Sequence, residues 1–413
     1  MFLATKPPPC PLYFCPQAPL AGEGMPRFIQ GLMFFGTVVL AWVMVNTYLY
    51  MRVVWAFDLK ERSIIKAAFV CLALAYVVGR ALDVFLGRTP AYLFLWPGMV
   101  WMGFVALAIS CLVPLEVFVS LPVWVLKTNG LISPSLASLL ARIAVFLALG
   151  GATGLSIYGV TRALAGPSLV ETEVLMPGLP KALDGLRVVA ASDLHVGGGP
   201  PEGLSDRIIS LMDSADADLV LLVGDLSDQL VDAKTFNRLA RIRSRHGVYA
   251  VAGNHEYYTG RQSTLRLMEA SGIHLLSQAH AVIASGLVVA GIDDPSFLPD
   301  GKGSVPSAID QALAGRPEGL PVILLSHQPL GARHAAQASV ALMLCGHTHG
   351  GQIPPFHLIS WLFYDALAGA TNVGGMTLLV SRGAGFWGPP MRVFADPEVH
   401  LLVLRSDGGG PRE

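Results

Sequence analysis

Five short motifs in the second half of the chain carry residues able to bind metal. They are Asp193-Leu194-His195, Gly224-Asp225, Gly253-Asn254-His255-Glu256, His327, and Gly346-His347-Thr348-His349. Carboxylate, imidazole and amide oxygen suit Mn, Fe or Zn, and the thiolates of a structural zinc knot are missing from the motifs. Residues i and i+2 of an extended chain point the same way, so Asp193 and His195 are expected to face one ion together, and so are His347 and His349. Seven donors (Asp193, His195, Asp225, Asn254, His327, His347 and His349) are too many for one ion. Shared between two, with one bridging carboxylate, they give each about four protein ligands and leave room for water. Each piece alone says little: Gly-Asp after a strand is usually a turn, and a lone His327 is more often structural than a ligand. The order of all five, each at the end of an apolar run, carries the inference.

Strand ends must bring these motifs together. LRVVAAS (186–192), ADLVLLVG (217–224), GVYAVAG (247–253), PVILLSH (321–327) and VALMLCG (340–346) have the pattern of buried strands, and each leads into one motif. Helix-like segments such as LSDRIISLMDS and KTFNRLARIRS lie between them, and LVVAGID, MTLLVSRG and VHLLVLRS add later strands. The alternation predicts a layered α/β domain with a second sheet stacked on the first. In open α/β sheets ligands bind at the carboxyl ends of the strands, so the five ends would converge on one pocket. Asp293 and Asp294 also follow a strand, but a turn before Pro295 accounts for them.

The first half is of another kind. Of 413 residues 53% are hydrophobic and only 14% charged, against roughly 25% charged in an average soluble domain. All 11 histidines lie at or beyond His195, and the long uncharged runs lie before Arg162. Crossing a bilayer takes about 20 apolar residues. Four spans are expected: between Arg27 and Arg52; after Lys66, where Arg80 and Asp83 can neutralise each other; from Thr89 to Leu115, kinked or cut short by its prolines; and from Ile143 to Thr161. The domain reading is a disordered lead over 1–27 (with Met25 as an alternative start), a transmembrane helical domain over 28–162, the α/β domain over 168–405, and a tail over 406–413. Arg52, Lys60, Arg62, Lys66, Lys127 and Arg142 then fall on one face of the membrane, and Lys6, Arg27, Arg88 and Arg162 on the other. The positive-inside tendency puts the larger set in the cytoplasm and the α/β domain outside it, in a multi-pass cell-membrane protein. Net charge is −1 with no dense Lys/Arg block, so no nucleic-acid partner is expected. Only Cys345 of the five cysteines falls in the second half, so that domain holds no internal disulfide.

With these motifs in order, the chain from Leu186 to Leu404 resembles the calcineurin-like metallophosphoesterase superfamily. That pattern runs Asp-x-His, Gly-Asp, Gly-Asn-His-Glu/Asp, His, Gly-His-x-His, and every element is present. GGQIPP and SRGAGFWGPPMRVFADPE are similar to the membrane-associated branch, which includes transmembrane proteins with a metallophosphoesterase domain. The resemblance implies an α/β fold, a two-sheet sandwich flanked by helices, with two divalent or trivalent transition-metal ions (Mn, Fe or Zn) as cofactors. It implies that Asp193, His195, Asp225 and His349 hold one ion, and that Asp225, Asn254, His327 and His347 hold the other. His255 would be the proton donor to the leaving oxygen. The expected activity is hydrolysis of a phosphate ester, phosphodiester or pyrophosphate by metal-activated hydroxide, with an anionic Asp225 offsetting repulsion between the cations.

Other functions fit less well. A nuclease would share the metal chemistry but needs a basic stripe. A non-catalytic sensor or scaffold would have lost ligands, and none is missing. A transporter would carry charge along its spans, where only Arg80, Asp83 and Glu116 are candidates. The expected partners are the membrane and a phosphorylated small-molecule or lipid substrate. IPPFHLISWLFY (353–364), just after His349, has only His357 and Ser360 as plainly polar residues. Phe386 and Trp387 are expected to protrude between glycines. Both features favour a lipid-linked substrate, the alternative being that 356–363 form an ordinary helix packed on the core.

Overall fold

The computed structural model describes residues 27–60, 62–197, 201–228, 237–299 and 301–407. The expected lead before residue 27, the last residues of the tail and the start of the expected helix KTFNRLARIRS lie outside them. Five helices come first: α1 Arg27–Ala56, α2 Arg62–Leu86, α3 Arg88–Leu115, α4 Leu121–Thr128 and α5 Pro134–Ala165. By internal packing the chain divides into Met1–Met44 and Val45–Glu413. The described part of the first unit is the opening of α1, where the Thr37 hydroxyl donates to the Met33 carbonyl at 2.8 Å. Every contact below lies within the second unit.

Among the described residues, four segments are long and apolar enough to cross a bilayer: Phe35–Ala56, Arg62–Leu86, Pro90–Thr128 and Pro134–Ala165. Arg80 and Asp83 pair at 3.2 Å inside the second. The third does not end at Leu115 as its prolines suggested. After Pro114, which has no N–H to donate, the helix continues through a π turn, Glu116–Ser120, into α4. The last runs past Arg142 and Arg162 at both ends. Its start is set by Pro134 in the first turn and by Ser133, whose hydroxyl accepts from the Leu136 N–H at 3.2 Å.

Beyond Gly166 the chain builds two six-stranded sheets. The first has the order β1-β12-β2-β3-β4-β5 and the second β10-β11-β9-β8-β7-β6. The strands are β1 Ser168–Met176, β2 Arg187–Ala191, β3 Leu219–Val223, β4 Val248–Val251, β5 Ile273–Leu275, β6 Ala279–Ile283, β7 Leu287–Gly291, β8 Val322–Leu325, β9 Leu342–Cys345, β10 Gly369–Val373, β11 Met376–Val380 and β12 Glu398–Ser406. The central runs β2-β3-β4 and β7-β8-β9 are parallel. Between the sheets, Val188, Leu219, Leu221 and Leu402 of one meet Val289, Ile323, Leu325 and Leu344 of the other. The outer faces are covered by the helices Glu202–Ser214 and Val305–Leu313. Strands buried on both faces must be apolar throughout, which is why these runs lack alternation. Cys345 is buried, and burial pushes its thiol well up.

Candidate metal centre

The five motifs converge where the parallel strands end. Directly after β2, β3 and β9 the chain turns sharply, and Asp193, His195, Asp225, His347 and His349 all take left-handed φ values between 49 and 69°. Such backbone costs a non-glycine residue of order 1–3 kcal/mol, and it persists only where the surroundings enforce it. Here the turns lock one another. The Asp193 N–H donates to the Gly224 carbonyl at 3.0 Å, the His195 N–H to the Asp225 carbonyl at 3.0 Å, and the His347 N–H to the Asp193 carboxylate at 3.1 Å.

The side chains form two groups of potential ligands. Asp193, His195 and His349 offer ligand atoms all within 4.8 Å of one another, and so do Asp225, His327 and His347. His347 and His349 therefore do not face one ion together as their i, i+2 spacing suggested. Their side chains diverge into different groups, whereas those of Asp193 and His195, also on left-handed backbone, share one. The Asn254 side-chain oxygen lies 2.9 Å from His347 Nδ1 and joins the second group. A third set, His195, Asp225 and His255, links the two, with Asp225 as the shared carboxylate and His255 also within reach.

Ring hydrogen bonds show what these groups are shaped to receive. His327 Nδ1 donates to the Val223 carbonyl at 2.7 Å, which turns its Nε2 toward Asp225 at 3.2 Å and His347 Nδ1 at 3.3 Å. His195 Nδ1 donates to Asp228 at 2.6 Å, which turns its Nε2 toward His349 Nε2 at 3.2 Å. Each facing pair of ring nitrogens, 3.2–3.3 Å apart, has room for at most one proton between them, a proton that a cation there would replace. Asp193 and Asp225 are buried, and their ion pairs are with imidazoles. Buried carboxylates of this kind call for such compensation. The residues present fit a pair of cations.

Electrostatics divide the imidazoles. Burial disfavours a charged His195, but Asp228, Asp225 and Asp193 outweigh it and push the ring up to about 9. At His327 burial is likewise outweighed by Asp225, and the ring is raised. Burial, then His327, lowers His347 to about 4, and burial with the Arg392 guanidinium holds His349 well down. Asp225 and Asp228 stay ionised against burial because the histidines hold their carboxyls low, Asp228 at about 2.

Three further residues shape the centre and carry no role in the sequence reading. One Asp228 oxygen lies 2.6 Å from the Nδ1 of both His195 and His255; its only sequence signal is its place three residues after Asp225. The buried Glu256 accepts from the N–H groups of Asp225, Leu226, Ser227 and Gly253 at 2.8–3.2 Å, fastening the turn after β3 to the one after β4. Burial and the Asp225 charge push its carboxyl up to about 7. Arg392, fully buried, donates to the carbonyls of Gly385, Arg382 and His349 and to His349 Nδ1. Asp293 and Asp294 prove structural: Asp294 caps the turn Pro295–Phe297 and holds Gln328, and Asp293 accepts from Ser277 and Gln278.

The family model for calcineurin-like phosphoesterases matches residues 186–351. A zebrafish (Danio rerio) transmembrane protein with a metallophosphoesterase domain is 34% identical over 61% of this chain and 60% of its own length. Uncharacterized metallophosphoesterases of Helicobacter pylori and Aquifex aeolicus are 35% and 31% identical, with 70% and 90% of their own lengths covered. The chain belongs to the calcineurin-like metallophosphoesterases. With its four long apolar helices, it falls in their membrane-associated branch and is a membrane protein. The chain spans about 60% of the zebrafish relative. As a metallophosphoesterase it carries Asp and His groups able to bind the divalent metals that this family uses.

Proposed function

We propose that the chain hydrolyses a phosphate ester, phosphodiester or pyrophosphate at a membrane, using two transition-metal ions of the Mn, Fe or Zn kind. The observation that carries this reading is the pair of facing imidazoles in each of two adjoining groups, with Asp225 between them. Asp193, His195 and His349 would hold one ion and Asn254, His327 and His347 the other, with Asp225 shared between them. Bound together, such ions activate a water and clamp the phosphoryl oxygens. The water oxygen bonds to phosphorus, the P–O bond to the leaving group breaks, and the leaving oxygen takes a proton. His255 delivers that proton from Nε2, 3.9 Å from an Asp225 oxygen, while Asp228 holds its Nδ1. His255 also falls in a group of potential ligands, so its variant separates the two roles: His255→Ala should keep its metal and lose most of its turnover.

The test is elemental analysis of the purified full-length protein together with a screen of phosphomonoesters, diesters and pyrophosphates. Two ions per chain are expected, and Asp225→Asn should lower occupancy of both sites. One ion or none in active protein overturns the dinuclear reading. Two ions without turnover on any substrate would favour a sensor or scaffold instead.

A further inference from the structure

One wall of the metal centre is a loop that is also part of the membrane bundle. The Trp387 ring lies 5.8 Å from the His255 ring. Gln352, three residues past His349, donates to the carbonyls of Trp387 and Pro389 at 2.9 and 3.0 Å. Its carbonyl accepts from the Val393 N–H at 2.9 Å. The other side of this loop packs on α3 and α5. A Cβ on Gly103 would stand 2.5 Å from Met391 Sδ, and one on Gly159 would stand 2.8 Å from Val393 Cγ2. The Arg392 N–H donates to the Gly159 carbonyl at 2.9 Å, and Arg162 forms a two-pronged pair with Asp396. Gly103 lies inside the candidate span Pro90–Thr128, and Gly159 inside Pro134–Ala165. At 1.5 Å per residue, Gly159 is about 9 Å inside the end of α5. The loop beside the catalytic histidine is thus seated against segments of membrane-spanning length.

The rim around it is apolar and uncovered. Phe394 is 78% exposed, Trp387 56%, Trp361 61% and Leu362 79%. Phe356, Leu358 and Ile359 on the short helix Phe356–Ser360 are exposed as well. Residues 356–363 are therefore not an ordinary helix packed on the core. Phe386 does not protrude as its glycine neighbours suggested: it is fully buried against the Glu202–Ser214 side of the sandwich, and Trp387 alone points outward. Gly351 packs so closely on the His357 backbone that a Cβ there would stand 2.4 Å away, tying this apolar hook to the turn that carries His349. Exposed apolar side chains gathered in this way mark an interaction site, and here Gly351 and Gln352 tie them to the loop docked on α3 and α5.

We propose that this rim rests in the surface of the bilayer that holds the spans, and that the substrate is a phosphate-bearing lipid drawn from that bilayer. The substrate class rests on the phosphoesterase reading; the seating of the rim does not. The lipid tail stays among Trp361, Leu362, Trp387 and Phe394 while its phosphate reaches the metal centre. Water adds to phosphorus, the P–O bond to the lipid-borne leaving group breaks, and that oxygen takes the proton from His255.

Two measurements on the full-length protein in lipid nanodiscs test this. Phosphatidylcholine carrying a photoactivatable diazirine in its acyl chain should form adducts on 356–364 and 387–396 as well as on the spans. Adducts confined to the spans overturn the seating. The second measurement compares kcat/KM for lipid phosphates in the disc (dioleoyl phosphatidate and a polyprenyl diphosphate) with that for p-nitrophenyl phosphate. The lipid-to-soluble ratio should fall about a hundredfold in a Trp361→Ser, Leu362→Ser double variant, and Trp361→Phe should retain it. Cleavage of the soluble ester with no lipid cleaved, or an unchanged ratio, overturns the substrate class alone. If wild type cleaves neither kind of substrate with any metal, the phosphoesterase reading falls and takes the substrate class with it, while the adduct map still decides the seating.

Discussion

Asp228 places one carboxylate oxygen against two imidazoles with different duties. By accepting from His195 Nδ1 it would leave that ring's Nε2 for the proposed metal, and by accepting from His255 Nδ1 it would orient the proposed proton donor. Partners of this kind behind metal ligands are typically worth about 10–100-fold in affinity or activity, and a general acid about 10²–10⁴-fold. Asp228→Ala should therefore lower turnover by about 10²-fold or more, and unevenly. The loss should be larger for an alkyl phosphate, whose leaving oxygen needs the proton, than for p-nitrophenyl phosphate, whose leaving group departs readily without it. Equal losses on both would assign Asp228 to the metal side alone. The seven proposed ligands were legible because each stands in a short motif after an apolar run. Asp228 and Arg392 were not, and Glu256, though part of a motif, gave no sign of its role. Their partners are chosen by the fold, and nothing local tells a buried Arg392 from the many arginines that face water.

At the scale of elements, the centre exists because turns from neighbouring strands touch. A Cβ on Gly253 would stand 2.2 Å from Asp225 Oδ1 and 2.6 Å from the Asp225 backbone nitrogen. Gly253→Ala should push the proposed bridge out of place and lower metal occupancy, read by elemental analysis, whereas Gly203→Ala, with nothing within 4 Å of its Cβ, should leave occupancy unchanged. Full occupancy in Gly253→Ala would mean that the turn after β3 adapts and that its close packing is incidental. The strands entering these turns were readable because β3, β8 and β9 are buried throughout and β2 and β4 nearly so, apart from Arg187 and Tyr249, and so are almost continuously apolar. β1 escaped notice. It reads Ser-Leu-Val-Glu-Thr-Glu-Val-Leu-Met, with Glu171 and Glu173 on an edge strand, and its parallel pairing with β12 joins residues more than 200 positions apart. β5 has three residues and β10 is largely exposed, so neither has a run for burial to imprint. The i, i+2 spacing puts Asp193 and His195 in one group but separates His347 from His349, although all four take left-handed φ, so strand geometry describes neither pair.

At the scale of the whole molecule, the membrane half separates charge from chemistry. At one end of the bundle Arg52 pairs with Glu116 and, together with Arg142, approaches the face of Trp55. At the other end α5 hands the chain to the sandwich, where Arg162 meets Asp396. An even number of spans returns the chain to the side on which it began, so four require that residues before Arg27 and the sandwich share one side. On a four-span count, six cations (Arg52, Lys60, Arg62, Lys66, Lys127 and Arg142) are expected on one side of the membrane and four (Lys6, Arg27, Arg88 and Arg162) on the other. Positive charge resists translocation, so the first set is expected in the cytoplasm and the sandwich outside it. Alkaline phosphatase and green fluorescent protein fusions before Arg27 and after Ser406 read the two claims separately. Alkaline phosphatase active at both positions, with both green fluorescent proteins dark, is the expected result. The reverse pattern at both positions keeps four spans and turns the molecule over, placing its substrate in the inner leaflet. Opposite signals at the two positions would remove one span, and the second, interrupted by Arg80 and Asp83, would be the first to doubt.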